Sequence, residues 1–368
     1  MKVAIVHDYI KEYGGAERVL ESLHSVFPDA PVFTTVYLPD FLGPHKERFA
    51  DWKIKTSWAQ ILPFKAKLIS PLRLIAPWLF ASFNFKGFDV IIVSATGAYS
   101  PNGIKKKNAK QISYVHTPPR YLYGYETARD WKSNIVSKIF GTLAIHWLRM
   151  VDFKTSENVD FFIANSRETA KRIEKFYRKD STVIYPPVEV RLPKTKVRKG
   201  NYYIAGGRIA RAKHTDLIID AFIKNGLPLK IFGRGIAGFE EEIKKKIVAY
   251  PNIEFLGEIS DERKNVMMAG AKGFIFASKD EDFGIIPVES MMAGTPVIAQ
   301  RSGGPLETIV EEETGIFFDE FTIESLNSAI RKFEKTKFDS KKIADYAQKF
   351  NRVRFEQEIK DFVEKHSK

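Results

Sequence analysis

The chain of 368 residues contains no cysteine. Disulfide bridges and thiolate metal sites are thereby excluded, which fits a reducing compartment. Nor is there an apolar run near the roughly 18 residues that a membrane span needs. The longest apolar region, 68–85, is broken by Pro71, Arg73, Pro77 and Asn84. The opening stretch Met1-Lys2-Val3-Ala4-Ile5-Val6-His7-Asp8 reads as a strand, too short for a signal h-region and without a small-residue cleavage site. A G-x-S-x-G elbow, an H-E-x-x-H pair and a G-x-x-x-x-G-K-[ST] loop are all missing, so hydrolase, zincin and P-loop chemistries have no support. The protein is therefore expected to be cytoplasmic, either free in solution or peripheral on the inner face of a membrane.

What is present is a globular balance, 44% hydrophobic and 28% charged residues, with enough apolar mass for large cores. The length suits two domains of roughly 100–200 residues. A formal net charge of +13 favours polyanions, whether nucleic acid, anionic lipid or a phosphate-bearing substrate, and does not choose among them.

Short runs rich in Val, Ile and Phe alternate with segments of helical period. The first half predicts strands at 3–7, 32–36, 90–94, 112–116, 161–165 and 182–185, with helices such as 15–27 and 167–177 between them. The second half predicts strands at 202–206, 229–232, 253–256, 273–277 and 296–299. Its helices are expected over 216–225, 239–249, 261–269, 287–293 and 323–333. Continuous apolar strands separated by helices imply parallel sheets covered on both faces. Two such series imply two doubly wound α/β domains, divided near the proline-rich and basic stretch 185–201. The expected domains are 1–188 and 189–345, followed by a charged helical segment, 346–368.

Open parallel sheets bind ligands outside the carboxyl ends of their strands. The first strand is followed by Gly14-Gly15, which opens a helix and serves either phosphate approach or tight packing. Without a G-x-G-x-x-G pattern, and with no acid clearly ending the second strand, a dinucleotide site is disfavoured. "YIAGGRIARAKHTD" sets Gly206, Gly207 and Arg208 after a strand, with Lys213 before the next helix, a plausible pyrophosphate clamp. Gly233 ends the following strand in "IFGRG". "EDFGIIPVE" then carries Glu281 on a loop, a turn at Phe283-Gly284, amides from Phe283 through Ile285 to Ile286, and Glu289 inside a helix. Both carboxylates are expected to face the crevice and grip two polyols, with phosphates between them. Asp280 and Asp282 also have D-x-D spacing, but no further acids nearby to complete a metal site. In the first half, His116 ends a strand just before Pro118-Pro119, placed for ligand contact or for a structural hydrogen bond.

Taken in order, "HDYIKEYGGAERV", "ISYVHTPPRYLY", "FFIANSRETAKRI", "VIYPPV", "YYIAGGRIARAKHTDLIIDAF" and "EDFGIIPVESMMAGTPVIA" cover nearly the whole chain. Together they resemble the retaining, family 4 (group 1) glycosyltransferases of the GT-B fold. That resemblance implies two Rossmann-like domains facing across a cleft, with the last helix crossing back to the first. It implies a nucleotide-sugar donor in the second domain, with Arg208 and Lys213 on the diphosphate near Gly207 and Gly233. Glu289 would hold the ribose, Glu281 the donor sugar, and the amides of Phe283, Gly284 and Ile285 would lie nearby. His116 would reach the transferred sugar, in chemistry or in positioning, and Gly15 would lie near the diphosphate and acceptor. Neither a metal nor a cofactor is implied. Family analogy favours a hexosyl donor such as GDP-mannose and a glycan or lipid-linked acceptor in surface polysaccharide assembly.

The mixture of lysines, aromatics and aliphatics over 65–87, with the basic loop 102–110, is expected to favour an anionic membrane surface. Two other readings remain open from the residues: a nucleotide-sugar epimerase of the same architecture, and a basic nucleic-acid binder. The second is disfavoured because the aromatics fall within apolar runs rather than in an aromatic-basic RNA motif.

Overall fold

The computed structural model describes residues 1–125, 135–195, 197–235 and 238–367, with 135–140 described by their backbone. The chain divides into two units, and all strand pairings within sheets among the described residues are parallel.

The first unit is built from 1–126, 130–187 and 352–368. Its described strands are β1 (Val3–His7), β2 (Val32–Thr34), β3 (Ile54–Thr56), β4 (Val90–Ala95), β5 (Lys110–Val115), β6 (Phe161–Ala164) and β7 (Thr182–Val183). They lie in the order β3-β2-β1-β4-β5-β6-β7. Alternate residues feed two cores, as a pleat of period two requires. Ala4, Val6, Ile91 and Val93 face one layer; Val3, Ile5, Val90 and Ile92 face the other. The second layer is completed by Val19, Leu20 and Leu23 of the helix Gly15–Val26, and by Phe355, Ile359 and Val363 of the last helix, Arg352–His366. Spacing at i, i+4 and i+8 turns those three residues onto one helix face. The return to the first unit therefore begins at Arg352, later than the expected 346, because a separate helix, Ser340–Ala347, belongs to the second unit.

The second unit centres on 188–351. Its strands are β8 (Tyr203–Gly206), β9 (Leu229–Phe232), β10 (Ile253–Gly257), β11 (Phe274–Phe276), β12 (Val297–Gln300) and β13 (Gly315–Phe318), in the order β10-β9-β8-β11-β12-β13. The core gathers Tyr203, Ile231, Ile275 and Ile298 from the strands with Phe222, Leu326 and Phe333 from the helices over them. Ser260 and Thr322 cap the helices Asp261–Gly270 and Ile323–Lys335 by accepting backbone N–H bonds from Arg263 and Ser325.

In both sheets the order reverses direction between the first strand and the fourth. That switch point, β1/β4 in one unit and β8/β11 in the other, is where the carboxyl ends leave room for a ligand.

Candidate active site

At the second switch point, β8 runs into Gly206-Gly207 and β9 into Gly233. Gly207 has φ +117° and Gly233 φ +129°, backbone that L side chains rarely adopt. A Cβ on Gly233 would stand 1.8 Å from the Gly207 carbonyl oxygen, so the two strand ends meet backbone to backbone. Arg208 follows at an exposed position. Arg211, further along, is spent in a surface pair with Glu242 at 2.8 Å.

Lys213 ends the next turn of helix, and its ammonium contacts three groups from the end of β11. It pairs with the Glu281 carboxylate, donates to Ser278 Oγ at 3.1 Å, and lies 5.8 Å from the centre of the Phe276 ring. Ser278 also donates to Glu281 Oε2 at 2.6 Å. Two of the residues singled out from sequence are thus brought together directly, and Ser278 joins them.

The loop carrying Glu281 is clamped from beneath by a segment that sequence reasoning missed, Ser302-Gly303-Gly304 after β12. Gly304 N–H donates to the Glu281 carbonyl at 2.8 Å, and Ser302 Oγ accepts from Asp280 N–H at 3.0 Å. A Cβ on Gly304 would fall 2.4 Å from the Phe283 backbone. The paired glycines after a strand were the available signal. Phe283 turns its ring into the interior, edge-on to Phe350 at 5.5 Å, and so offers the site its backbone alone. Gly284, at φ +86°, starts the helix Ile285–Met292, two residues earlier than expected.

Glu289 is far more enclosed than Glu281: its side chain is 1% exposed, against 19% for Glu281. Oε1 accepts from Lys264 Nζ at 2.9 Å, and Lys264, itself 9% exposed, also reaches Asp261 Oδ1 at 3.0 Å. A carboxylate this enclosed requires a fixed cation, and Lys264 supplies it. Among the described residues no group of three or more His, Asp and Glu side chains is placed to hold a metal ion.

At the first switch point, His116 follows β5 with its Nε2 2.9 Å from Ser94 Oγ on β4. Burial, with the neighbouring His7 imidazole second, pushes the His116 imidazole down to about 3. Asp8, after β1, is buried. Its Oδ2 accepts from Thr96 Oγ1 at 2.5 Å and from the N–H groups of Ala98 and Tyr99, both at 3.2 Å. Burial raises its carboxyl above the ordinary range despite those bonds. Gly14 N–H donates to Glu17 Oε2 at 2.9 Å, closing the helix start, and Gly15 is exposed beside it.

Two family models match this chain in succession. Glycosyltransferase Family 4 matches 13–192 and Glycosyl transferases group 1 matches 189–350. The chain belongs to the family 4, group 1 glycosyltransferases. This glycosyltransferase is 23% identical over 86% of its length to the α-1,3/1,6-mannosyltransferase alg2 of Schizosaccharomyces pombe, covering 70% of that protein. It is 25% identical to the ALG2 enzyme of Dictyostelium discoideum, over 73% of this chain and 72% of that one. In structure it is similar to sucrose-phosphate synthase from Thermosynechococcus elongatus, at TM-score 0.76 and 17% identity over 99% of each chain. It is also similar to Anabaena Alr3699/HepE, solved with UDP and glucose, at TM-score 0.72 and 17% identity over 99% of this chain and 100% of that one. These likenesses identify the fold as GT-B.

Proposed function

We propose that the enzyme is a retaining mannosyltransferase that moves mannose from GDP-mannose to a glycan or lipid-linked acceptor. The observation that carries the reading is the Lys213–Glu281–Ser278 cluster at the β8/β11 switch point, followed in the chain by the helix that carries the enclosed Glu289. The identities of the two mannosyltransferase relatives support mannose as the sugar.

Lys213 and Arg208, with backbone amides beside Gly207 and Gly233, neutralise charge on the departing diphosphate. A donor that enters releases Lys213 from its pairing with Glu281 and frees that carboxylate to accept from sugar hydroxyls. Glu289 takes the ribose hydroxyls, and Ile285 and Gly284 present the start of their helix to the phosphates. In the first unit His116 is assigned to the transferred sugar, and Gly15 to the phosphate and acceptor side. With no pair of carboxylates assigned as acid and nucleophile, retention rests on stabilising charge and orienting the acceptor. The donor is a substrate, and no metal or cofactor is required.

Attachment to the inner face of an anionic membrane belongs to the same reading. Ile61, Phe64 and Trp78 are exposed, Trp78 stacks on the exposed Trp147 at 5.4 Å, and Lys65 and Lys67 stand beside Phe64. Arg73, within the same segment, is held against the Tyr121 ring at 4.0 Å and donates to the Ala98 carbonyl. Among the described residues no helix is long and apolar enough to cross a membrane.

The test is thermal stabilisation across a panel of nucleotide sugars, followed by NMR of the anomeric configuration in the product. GDP-mannose should raise stability most, since a ligand that binds only the folded form stabilises by RT ln(1 + [L]/Kd). An inverted product, or stabilisation by other donors alone, overturns the assignment.

A further inference from the structure

Four polar side chains stand in a row from the start of the first helix across the ends of β1, β4 and β5. Glu17 Oε1 lies 3.7 Å from His7 Nε2. His7 Nδ1 lies 3.1 Å from Ser94 Oγ, which in turn lies 2.9 Å from His116 Nε2. Glu17, His7 and Ser94 are all buried, and His7 Nε2 has no other hydrogen-bond partner among the described residues. None of the three was legible as a site residue in the sequence.

A hydroxyl carries one proton. If Ser94 bonds both rings, it donates to one imidazole nitrogen and accepts from the other. Two arrangements satisfy that rule with neutral rings. In one, His7 Nδ1–H donates to Ser94, Ser94 donates to His116 Nε2, and the bare His7 Nε2 faces the Glu17 carboxylate. In the other, His116 Nε2–H donates to Ser94, Ser94 donates to His7 Nδ1, and His7 Nε2–H faces Glu17. The first sets a lone pair against an anion inside a medium of low dielectric; the second sets a polar N–H against it. Electrostatics selects the second. The carboxylate cannot easily turn away, because its other oxygen accepts from Gly14 N–H at 2.9 Å.

We propose that Glu17, through His7 and Ser94, fixes His116 in the tautomer protonated at Nε2, leaving Nδ1 as an acceptor for a substrate hydroxyl. Glu17, His7 and Ser94 are then positioning residues for the group that touches substrate. Ser94 provides the only side-chain hydrogen bond to the His116 ring among the described residues, which leaves Nδ1 open. A neutral ring is also what burial enforces there. The tautomer relay deepens the reading of His116 as a sugar contact and rests on it for its purpose, but not for its detection.

The test is 15N NMR of the histidine-labelled full chain without donor, which distinguishes a protonated from an unprotonated ring nitrogen. His116 should show a protonated Nε2 and a bare Nδ1. Glu17→Gln should shift the population toward Nδ1–H and lower kcat about tenfold, the scale of one misdirected hydrogen bond, with KM for the donor little changed. Ser94→Ala should do the same, and Ser94→Thr, which restores the hydroxyl, should recover both tautomer and rate. A wild-type His116 protonated at Nδ1 overturns the relay without need of any variant. An unchanged tautomer in Glu17→Gln overturns it too. Because the ring is observed in the ligand-free chain, neither result depends on which sugar is transferred.

Discussion

Replacing Lys264 with methionine removes the cation that holds Glu289 and keeps most of the side-chain volume. The pair is enclosed, at 9% and 1% exposure, so the carboxylate left behind has little access to water in compensation. The contact from Lys264 to Asp261 adds little to the loss, since Asp261 is 31% exposed and can be solvated. Removing one partner of a buried pair costs roughly 3–5 kcal/mol. For a unit of this size each kcal/mol shifts Tm by about 2–4 °C, so the second unit should melt roughly 10 °C lower. The double variant Lys264→Met, Glu289→Met should regain most of that stability, because replacing both charges by apolar groups of similar size is close to neutral. It should not regain nucleotide affinity, because the ribose contact proposed for Glu289 is gone. Calorimetric melts of the wild type, both single variants and the double variant close a cycle, and titration with nucleotide adds the functional arm. A single variant that melts within a degree or two of the wild type would refute the reasoning. So would a double variant as unstable as Lys264→Met.

Glu281→Ala should lower transfer by on the order of 10²-fold while leaving the melt nearly unchanged, since Ser278 still accepts from Lys213; a progress curve at saturating donor checks it, and near-wild-type turnover removes the proposed role. Gly233→Ala forces a Cβ into the Gly207 carbonyl at φ +129° and should destabilise the second unit by about 3 kcal/mol or more, read from urea unfolding. Two buried groups of the first unit oppose each other in acid. His116, pushed to about 3 from 6.5, costs stability as pH falls below 6.5; Asp152, raised by burial to about 6 from 3.8, costs stability as pH rises from 3.8 through 6. Asp152→Asn should therefore steepen the loss between pH 6 and 4 and His116→Phe should reverse it, in urea midpoints compared across that range. Vesicles containing anionic lipid should float the protein at low salt and lose it at high salt, with Trp78→Ser, Trp147→Ser weakening retention about tenfold; a wild type that never floats ends the membrane assignment.

Every central strand was legible in the sequence, because burial on both faces leaves an uninterrupted apolar run. Of the four edge strands, β7 and β10 were also legible, and β3 and β13 escaped. β3 is three residues long within a charged stretch, and β13 follows a turn with a short apolar run, so neither carries a distinctive period. The helix Ile135–Ser156 was hidden because its apolar residues wind around the axis and leave Leu143, Trp147 and Met150 exposed. At the site, Gly207, Lys213, Glu281 and Glu289 were legible because each lies within a few residues of a strand end or helix start. Lys264 was not: in "DERKN" it reads as one more surface charge, and only the fold brings it to Glu289, 25 residues on. Ser94 and His7 are separated by 87 residues and read as ordinary strand ends. Long-range partnership of this kind leaves no local pattern.

The last helix places Phe355, Ile359 and Val363 in the interior of the first unit, after the chain has already passed through 188–351. During synthesis the ribosome therefore delivers every residue of 188–351 before it delivers the closing piece of the unit that began at Met1. The later unit can reach its native core first, while the earlier one waits with part of its second layer open to water. The usual order, in which N-terminal domains finish ahead of those that follow, is inverted. Until residue 363 emerges, the apolar side chains of Val19, Leu20 and Leu23 lack part of their native cover.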